Sequence, residues 1–469
     1  MNYKLVVFFT LYAAVAAVLP SLGIAQGAMA PSSNSRLIDI ERYRLQLEDL
    51  ASEFGPMDNS LLEPLTSMLS ALLEEGEFQQ AAEIQNRQMS IMRTNLGFEN
   101  PDLIPLLRGM IQVQQVLGNW PLINDHLEHI RFLISSNYGS QSEELLLAME
   151  NHAQWLLARF YLDDERNQSQ NFLDARDLYR DMQQLSEDVY GEDSPKLYPW
   201  YYKRAHNLAL MFQLLNTRDG FAIEFTSDVI RADTSFRVQD VDFMTNRGNA
   251  GFILPQRNYT RGKGYLRQAR GFINDIREIA EIEGDEEAQA MALIYRGDYN
   301  VLLGRNSGRQ HYNEAKEKLA GVGIPLSDIE EFFRTPMPLP VPQFHENFDE
   351  LLMYQRSINS AVHDVPNDVM HLGIFSAWHE NASAVLKPVS SDPLLQIGMP
   401  QYLVDLSFNI SSRGDVSSVK VINSVPEDRR VAREGLRAIR EIKFRPAIEG
   451  KRAVRTRDVQ MRYLFAQEL

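Results

Sequence analysis

The sequence predicts a mainly α chain, with an α-solenoid over residues 37–333 and a small α+β domain over residues 390–469. Two observations predict it. In the first region short motifs recur at a spacing of 42 residues, which marks a repeated supersecondary unit. In the last seventy residues apolar and polar side chains alternate with the two-residue period of half-buried strands.

The repeats come first. Gly76-Glu77-Phe78 is echoed by Gly118-Asn119-Trp120, and Gly97 by Gly139. Tyr190-Gly191-Glu192-Asp193-Ser194-Pro195 is a third echo of the stretch that ends in Pro101. Each unit reads as two helices. The first ends in glycine followed by an aromatic. The second carries small residues such as Ala81 and Ala82 where its partner packs closely. A glycine then stops it, and Pro101 or Pro195 opens the next helix in its first turn. Residues 265–321 read as a further degenerate unit, with Gly297-Asp298-Tyr299 in one helix and Tyr312, Ala315 and Leu319 in the next. Residues 216–258 show little periodicity.

Proline at every second position in Thr335-Pro336-Met337-Pro338-Leu339-Pro340-Val341-Pro342 removes backbone donors and favours an extended chain. Residues 335–343 are therefore expected to be a short stiff linker, open to proteases. Met370 to Leu386 is expected to add a strand to the sheet that follows.

In the terminal region Tyr402, Val404, Leu406, Phe408 and Ile410 fall on one face of a strand. Arg413-Gly414-Asp415 is a turn, and Val416 to Ile422 a second strand. Glu427 to Glu441 has Ala432, Leu436 and Ile439 at helical spacing. Phe444-Arg445-Pro446-Ala447 closes the helix, Glu449-Gly450-Lys451 turns, and Val459, Met461, Tyr463 and Phe465 alternate in a last strand.

Composition narrows the function. The chain has no cysteine, so disulfides, thiolate metal sites, cysteine nucleophiles and lipoprotein attachment are excluded. Its formal net charge is −16, although residues 401–469 carry fourteen basic against nine acidic side chains. An acidic body disfavours nucleic acid and anionic membranes as partners. Between Phe243 and Asn274 there are six basic residues and no acidic one, a local patch that includes Arg261 and Arg267. It reads either as a solvated helix face or as a docking site for an acidic partner.

Lys4, the apolar run Leu5–Leu19 and the small residues after Pro20 have the layout of a secretory signal peptide spanning residues 1–25. The run is shorter than the ~20 residues that span a bilayer. Export to the periplasm with cleavage after Ala25 is expected. An uncleaved inner-membrane anchor is the alternative, and only then would the chain contact the membrane.

No catalytic constellation is visible: no phosphate loop, no His-Glu-x-x-His, no Gly-x-Ser-x-Gly. His126 and His129 sit three apart without further ligands in view. Asp163-Asp164-Glu165 reads as charge ahead of a helix. The chain is therefore expected to be a binding protein, not an enzyme, with no cofactor and no metal.

The helical region resembles tetratricopeptide repeats, in a longer variety than the usual period of ~34 residues. The strand–turn–strand–helix–strand order, with Phe444-Arg445-Pro446-Ala447 and Gly450-Lys451 at their places, resembles the C-terminal domain of the TonB family over about seventy residues. That resemblance implies pairing with a short segment of an outer-membrane receptor, or another TonB-system component, by strand addition. It puts the receiving edge on the last strand, Val454 to Phe465, with Arg455, Arg457, Gln460, Arg462 and Tyr463 as partner-binding residues. The chain departs from the family in having no histidine in its apolar segment and repeats in place of a long spacer. The resemblance thus implies a periplasmic accessory or adaptor more than an energy transducer. A scaffold whose terminal domain serves only self-association is the alternative.

Overall fold

In the computed structural model the described residues are 33–162, 165–215, 263–305, 308–359, 369–377, 387–388 and 401–466. The signal segment, Arg261 and the poorly periodic stretch 216–258 lie outside them. Among the described residues no helix is long and apolar enough to cross a membrane. The chain divides into two compact units, Met1–Trp155 and Leu156–Leu469.

The first unit is a run of antiparallel helix pairs: α1 (Ser33–Phe54), α2 (Leu62–Glu75), α3 (Phe78–Leu96), α4 (Leu103–Val116), α5 (Trp120–Tyr138) and the start of α6 (Glu143–Leu162). Each packs on the next, so the contacts are local, as in repeat proteins. Leu47, Leu61, Leu65, Met68 and Leu72 build one core, and Leu103, Leu107, Met110, Ile130 and Leu133 the next.

The 42-residue period is a hydrogen-bond period. Gly76 sits at φ 77° and lets Glu77 N–H donate to Leu72 O at 2.9 Å. At Gly118 the Asn119 N–H donates to Gln114 O at 3.0 Å. Asn95 Nδ2 donates to Ile91 O and Met57 O, and Asn137 Nδ2 to Leu133 O and Glu99 O. Both asparagines staple the end of one helix to the loop before its partner. The loops match too: Asp58, Asn100, Ser142 and Ser194 each accept from a backbone N–H just downstream, three residues after Gly55, Gly97, Gly139 and Gly191. Gly55 opens the series one unit earlier than the sequence reading placed it.

The second unit holds the end of α6, then α7 (Glu165–Tyr190), α8 (Tyr198–Leu215), α9 (Lys263–Glu283), α10 (Glu286–Leu302), α11 (Gly308–Gly321), α12 (Leu326–Arg334) and α13 (Phe348–Asn359). Residues 265–321 thus hold three helices where a hairpin was expected. The approach of α10 to α11 is set by Gly297, where a Cβ would lie 2.3 Å from the Tyr312 ring.

The strands are β1 (Met337–Leu339), β2 (His371–Ala377), β3 (Lys387–Pro388), β4 (Gln401–Ile410), β5 (Val416–Val425), β6 (Lys443–Arg445), β7 (Ile448–Glu449), β8 (Arg452–Ala453) and β9 (Thr456–Ala466); α14 (Arg429–Glu441) lies between β5 and β6. The main sheet has the order β3-β2-β9-β4-β5. Val404, Leu406, Phe408, Ile410, Val459, Met461 and Tyr463 are all buried on one face, as their alternation predicts. Of the stretch from Met370 to Leu386 expected to add a strand, His371–Ala377 does so as β2 and residues 378–386 lie outside the described ones, so the sheet begins before residue 390. On α14 the buried residues are Val431, Gly435, Ala438 and Ile439, rotated by one position from the expected stripe; Gly435 lies against Val404.

The expected linker is a structural strand. Met337, Leu339 and Val341 are buried, and β1 pairs antiparallel with β6 in a two-stranded sheet. Tyr202 Oη donates to Val341 O at 2.7 Å, and Gln213 Nε2 to Leu339 O at 3.3 Å. Alternating prolines made this stretch extended, but its intervening Met, Leu and Val are apolar and have a core to enter. Residues from α8 to β9 share one hydrophobic core, so the helices and the terminal sheet of this unit are not separate bodies.

Candidate functional site

The residues expected to bind a partner on the last strand do not lie at an edge. β9 is interior: antiparallel to β4 and parallel to β2. Gln460 N–H donates to Met370 O at 2.9 Å. Arg462 is tied to Asp405 on β4, with Nε at 2.7 Å and Nη2 at 3.1 Å from its carboxylate oxygens. Tyr463 is buried in the core. Arg455 and Arg457 are exposed, and Asp458 after them adopts φ 50° at a bulge, with its N–H on Asn409 Oδ1. The expectation failed because β2, weakly patterned and with residues 88 or 89 positions ahead of their β9 partners, takes the place beside it.

The long open edge is β5. Among the described residues it pairs only with β4. Ile422 and Val425 are 52% and 53% exposed. The β4–β5 register slips beside Ile422 and again near Ser418, which adopts φ 55°. These bulges and Lys420 shorten the stretch that an incoming strand can match, a common protection of sheet edges.

The terminal domain meets the helices of its own unit through Arg445, which is fully buried. Arg445 Nε and Nη2 donate to Asp298 Oδ1 and Oδ2 at 2.8 and 2.6 Å, and Tyr312 Oη donates to Oδ1 at 2.8 Å. The guanidinium lies 4.7 Å from the Phe332 ring centroid. Burial alone would lower its pKa, but Asp298 outweighs this and holds it above the ordinary arginine value. Gly414, at φ 80°, accepts from Phe444 N–H at 3.0 Å, and a Cβ there would lie 2.0 Å from Phe444 O. The β7–β8 turn rests on α11: Lys316 Nζ donates to Gly450 O at 3.3 Å and Asn313 Nδ2 to Lys451 O at 3.2 Å. The Arg445–Asp298 pair is structural, because no solvent reaches it.

In the first unit a groove of about 320 Å³ runs along α1–α3. Leu47, Met68 and Ile84 are its apolar floor, and Arg44, Glu48, Glu83 and Arg87 line it with both signs of charge. Its residues are spread over three helices, so no motif in the sequence announces it. His129, weighed above as a ligand, stacks on Phe98 at 4.3 Å, and no group of three or more His, Asp or Glu able to hold a metal occurs among the described residues.

No protein-family model matches the chain, and a comparison with curated proteins finds no match. Among solved structures, the chain is similar to BtubC (BKLC) from P. vanneervenii, at 13% identity over 62% of this chain and 93% of that one, with a TM-score of 0.29. It is also similar to a candidate kinesin light chain from Podosopora anserina with nearly identical TPR-like repeats, at 11% identity over 58% of this chain and 95% of that one, with a TM-score of 0.30. At TM-scores this low, neither similarity decides architecture or function.

Proposed function

We propose that the chain is a protein-binding adaptor, exported to the periplasm, without catalytic activity of its own. The groove along α1–α3 carries this reading. It is the size of a site for a short side-chain cluster, apolar at its base and charged at its rim, and it lies in a repeat array of the kind that binds proteins. A photo-crosslinking residue in place of Ile84, in the full chain expressed in its native cell, is expected to yield a discrete protein adduct. Reversing the rim with E83R and R87E is expected to abolish it. Labelling no stronger than at the exposed Leu326 would overturn the reading.

A second surface serves the TonB-like part of the proposal. The edge of β5, in place of the last strand, receives an extended segment of an outer-membrane receptor or of another TonB-system component. Ile422→Pro is expected to end capture of such a segment while the groove still binds. Self-association through this edge is the rival, and it predicts a dimer that the same substitution dissolves.

A further inference from the structure

A basic face forms across α9, α10 and the loop after α10 that no stretch of sequence contains. Arg267 and Arg270 come from α9, Arg296 from α10 and Arg305 from the loop after it; His311 of α11 lies beside them as a neutral ring, its pKa pushed down to about 4 by burial and by Arg296, Arg270 and Arg277. Two of the arginines are held by neutral amides. Arg270 Nη1 donates to Asn300 Oδ1 at 3.2 Å, and Arg296 Nη1 to Asn274 Oδ1 at 3.0 Å. The two bonds run in opposite directions between α9 and α10, so they lock both guanidiniums without neutralising either. Among the described residues, Arg270, Arg296 and Arg305 form no salt bridge. Among the described residues, the charges acting on Arg270 are those of Arg305, Arg296 and Arg267, all positive. Among the described residues, Arg296 feels Arg277 and the carboxylates Glu314, Glu278 and Glu281. Arg296 Nε and His311 Nδ1 are buried without a hydrogen-bond partner.

Like charges this close are unfavourable by themselves, and in a chain of net charge −16 there are many carboxylates that could have been placed among them. Arg270 and Arg296 are held in place by amides, and among the described residues no carboxylate pairs with Arg270 or Arg305, which suits a ligand that brings several negative charges. We propose that this face binds an acidic peptide segment of a partner protein, its carboxylates bridging Arg270, Arg296 and Arg305. The guanidinium forks suit carboxylates bidentately. The surface is independent of the groove and of the β5 edge, and stands whether or not those bind.

The test uses the full chain and a fluorescein-labelled glutamate-rich peptide, read by anisotropy, with a control peptide carrying Gln for every Glu. Saturable binding of the first peptide only, weakening as salt is raised, is expected. R270Q and R305Q are each expected to weaken it by about tenfold, the worth of one charge-assisted contact. R429Q, on an exposed arginine of α14, is expected to leave it unchanged. Arg305 is exposed, so R305Q tests the face without risk to folding, and an unchanged melting curve checks this. Equal binding of both peptides, or binding indifferent to R270Q and R305Q, overturns the proposal. Displacement by equimolar inorganic pyrophosphate would assign the face to a small phosphate ligand instead. Self-association abolished by R305Q would assign it to a second copy of the chain. Either result also overturns it.

Discussion

Removing Asp298 should undo the joint between the terminal domain and the helices of its unit. Asp298→Ala leaves the Arg445 guanidinium, which has no measurable exposure, facing Phe332, Tyr312 and Met337 without a counter-charge. It removes two charge-assisted hydrogen bonds and the acceptor of Tyr312. Stranding one member of a buried pair costs about 3–5 kcal/mol, against a net stability of about 5–15 kcal/mol for a typical domain. The single substitution is thus expected to consume about a fifth or more of the stability of this unit. D298A combined with R445M removes both charges and puts a thioether among apolar neighbours. The double variant is expected to be more stable than D298A, because the desolvation penalty goes with the charge. The assay is urea unfolding of the full chain, with hydrogen exchange read separately over α10 and β6. A loss below about 1 kcal/mol in D298A, or a double variant no better than the single, would refute the reasoning.

Other predictions follow from the same core. Thermolysin is expected to spare residues 335–343, since β1 is buried and paired; early cleavage there would restore the linker. Gly297→Ala should lower the unfolding free energy by about 1–3 kcal/mol through overpacking against Tyr312, and an unchanged urea midpoint would mean that α10 and α11 separate freely. Acid should destabilise the chain from neutrality downward. Burial, aided by Arg131, pushes His152 down to about 3, and burial pushes His345 down to about 4. The unfolded chain therefore takes up these protons near pH 6.5 while the folded chain resists. Their contribution is complete above that pH and is lost as pH falls towards 4, at up to about 1.4 kcal/mol per pH unit for each group. Asp275, raised to about 6 by burial together with Glu278 and Glu187, works in the opposite sense within the second unit. Melting at pH 7.5 and 5.5 should show H152Q flattening the slope; equal slopes in wild type and variant would dismiss the histidine.

The sequence by itself determined whatever depends on neighbours along the chain. Glycine at φ 77° ends a helix at Gly76 for reasons contained in a few residues, so the repeat was legible at Gly76 and Gly118. Period-two alternation likewise put Val404, Leu406, Val459, Met461 and Tyr463 on the buried face before any partner strand was known. Strand order was not legible, because alternation says which side of a strand is apolar and nothing about who sits beside it. The sheet therefore decided that Arg462 pairs with Asp405 inside and that Ile422 stands at the edge. Proline spacing predicted an extended segment at 335–343 correctly and its exposure wrongly, since burial depends on whether a distant surface has room. The same limit hid the pairing of Arg445 with Asp298, 147 residues apart, and the basic face. Charges gathered from two helices and a loop become neighbours only when the helices pack, and a linear count of arginines sees one row at a time.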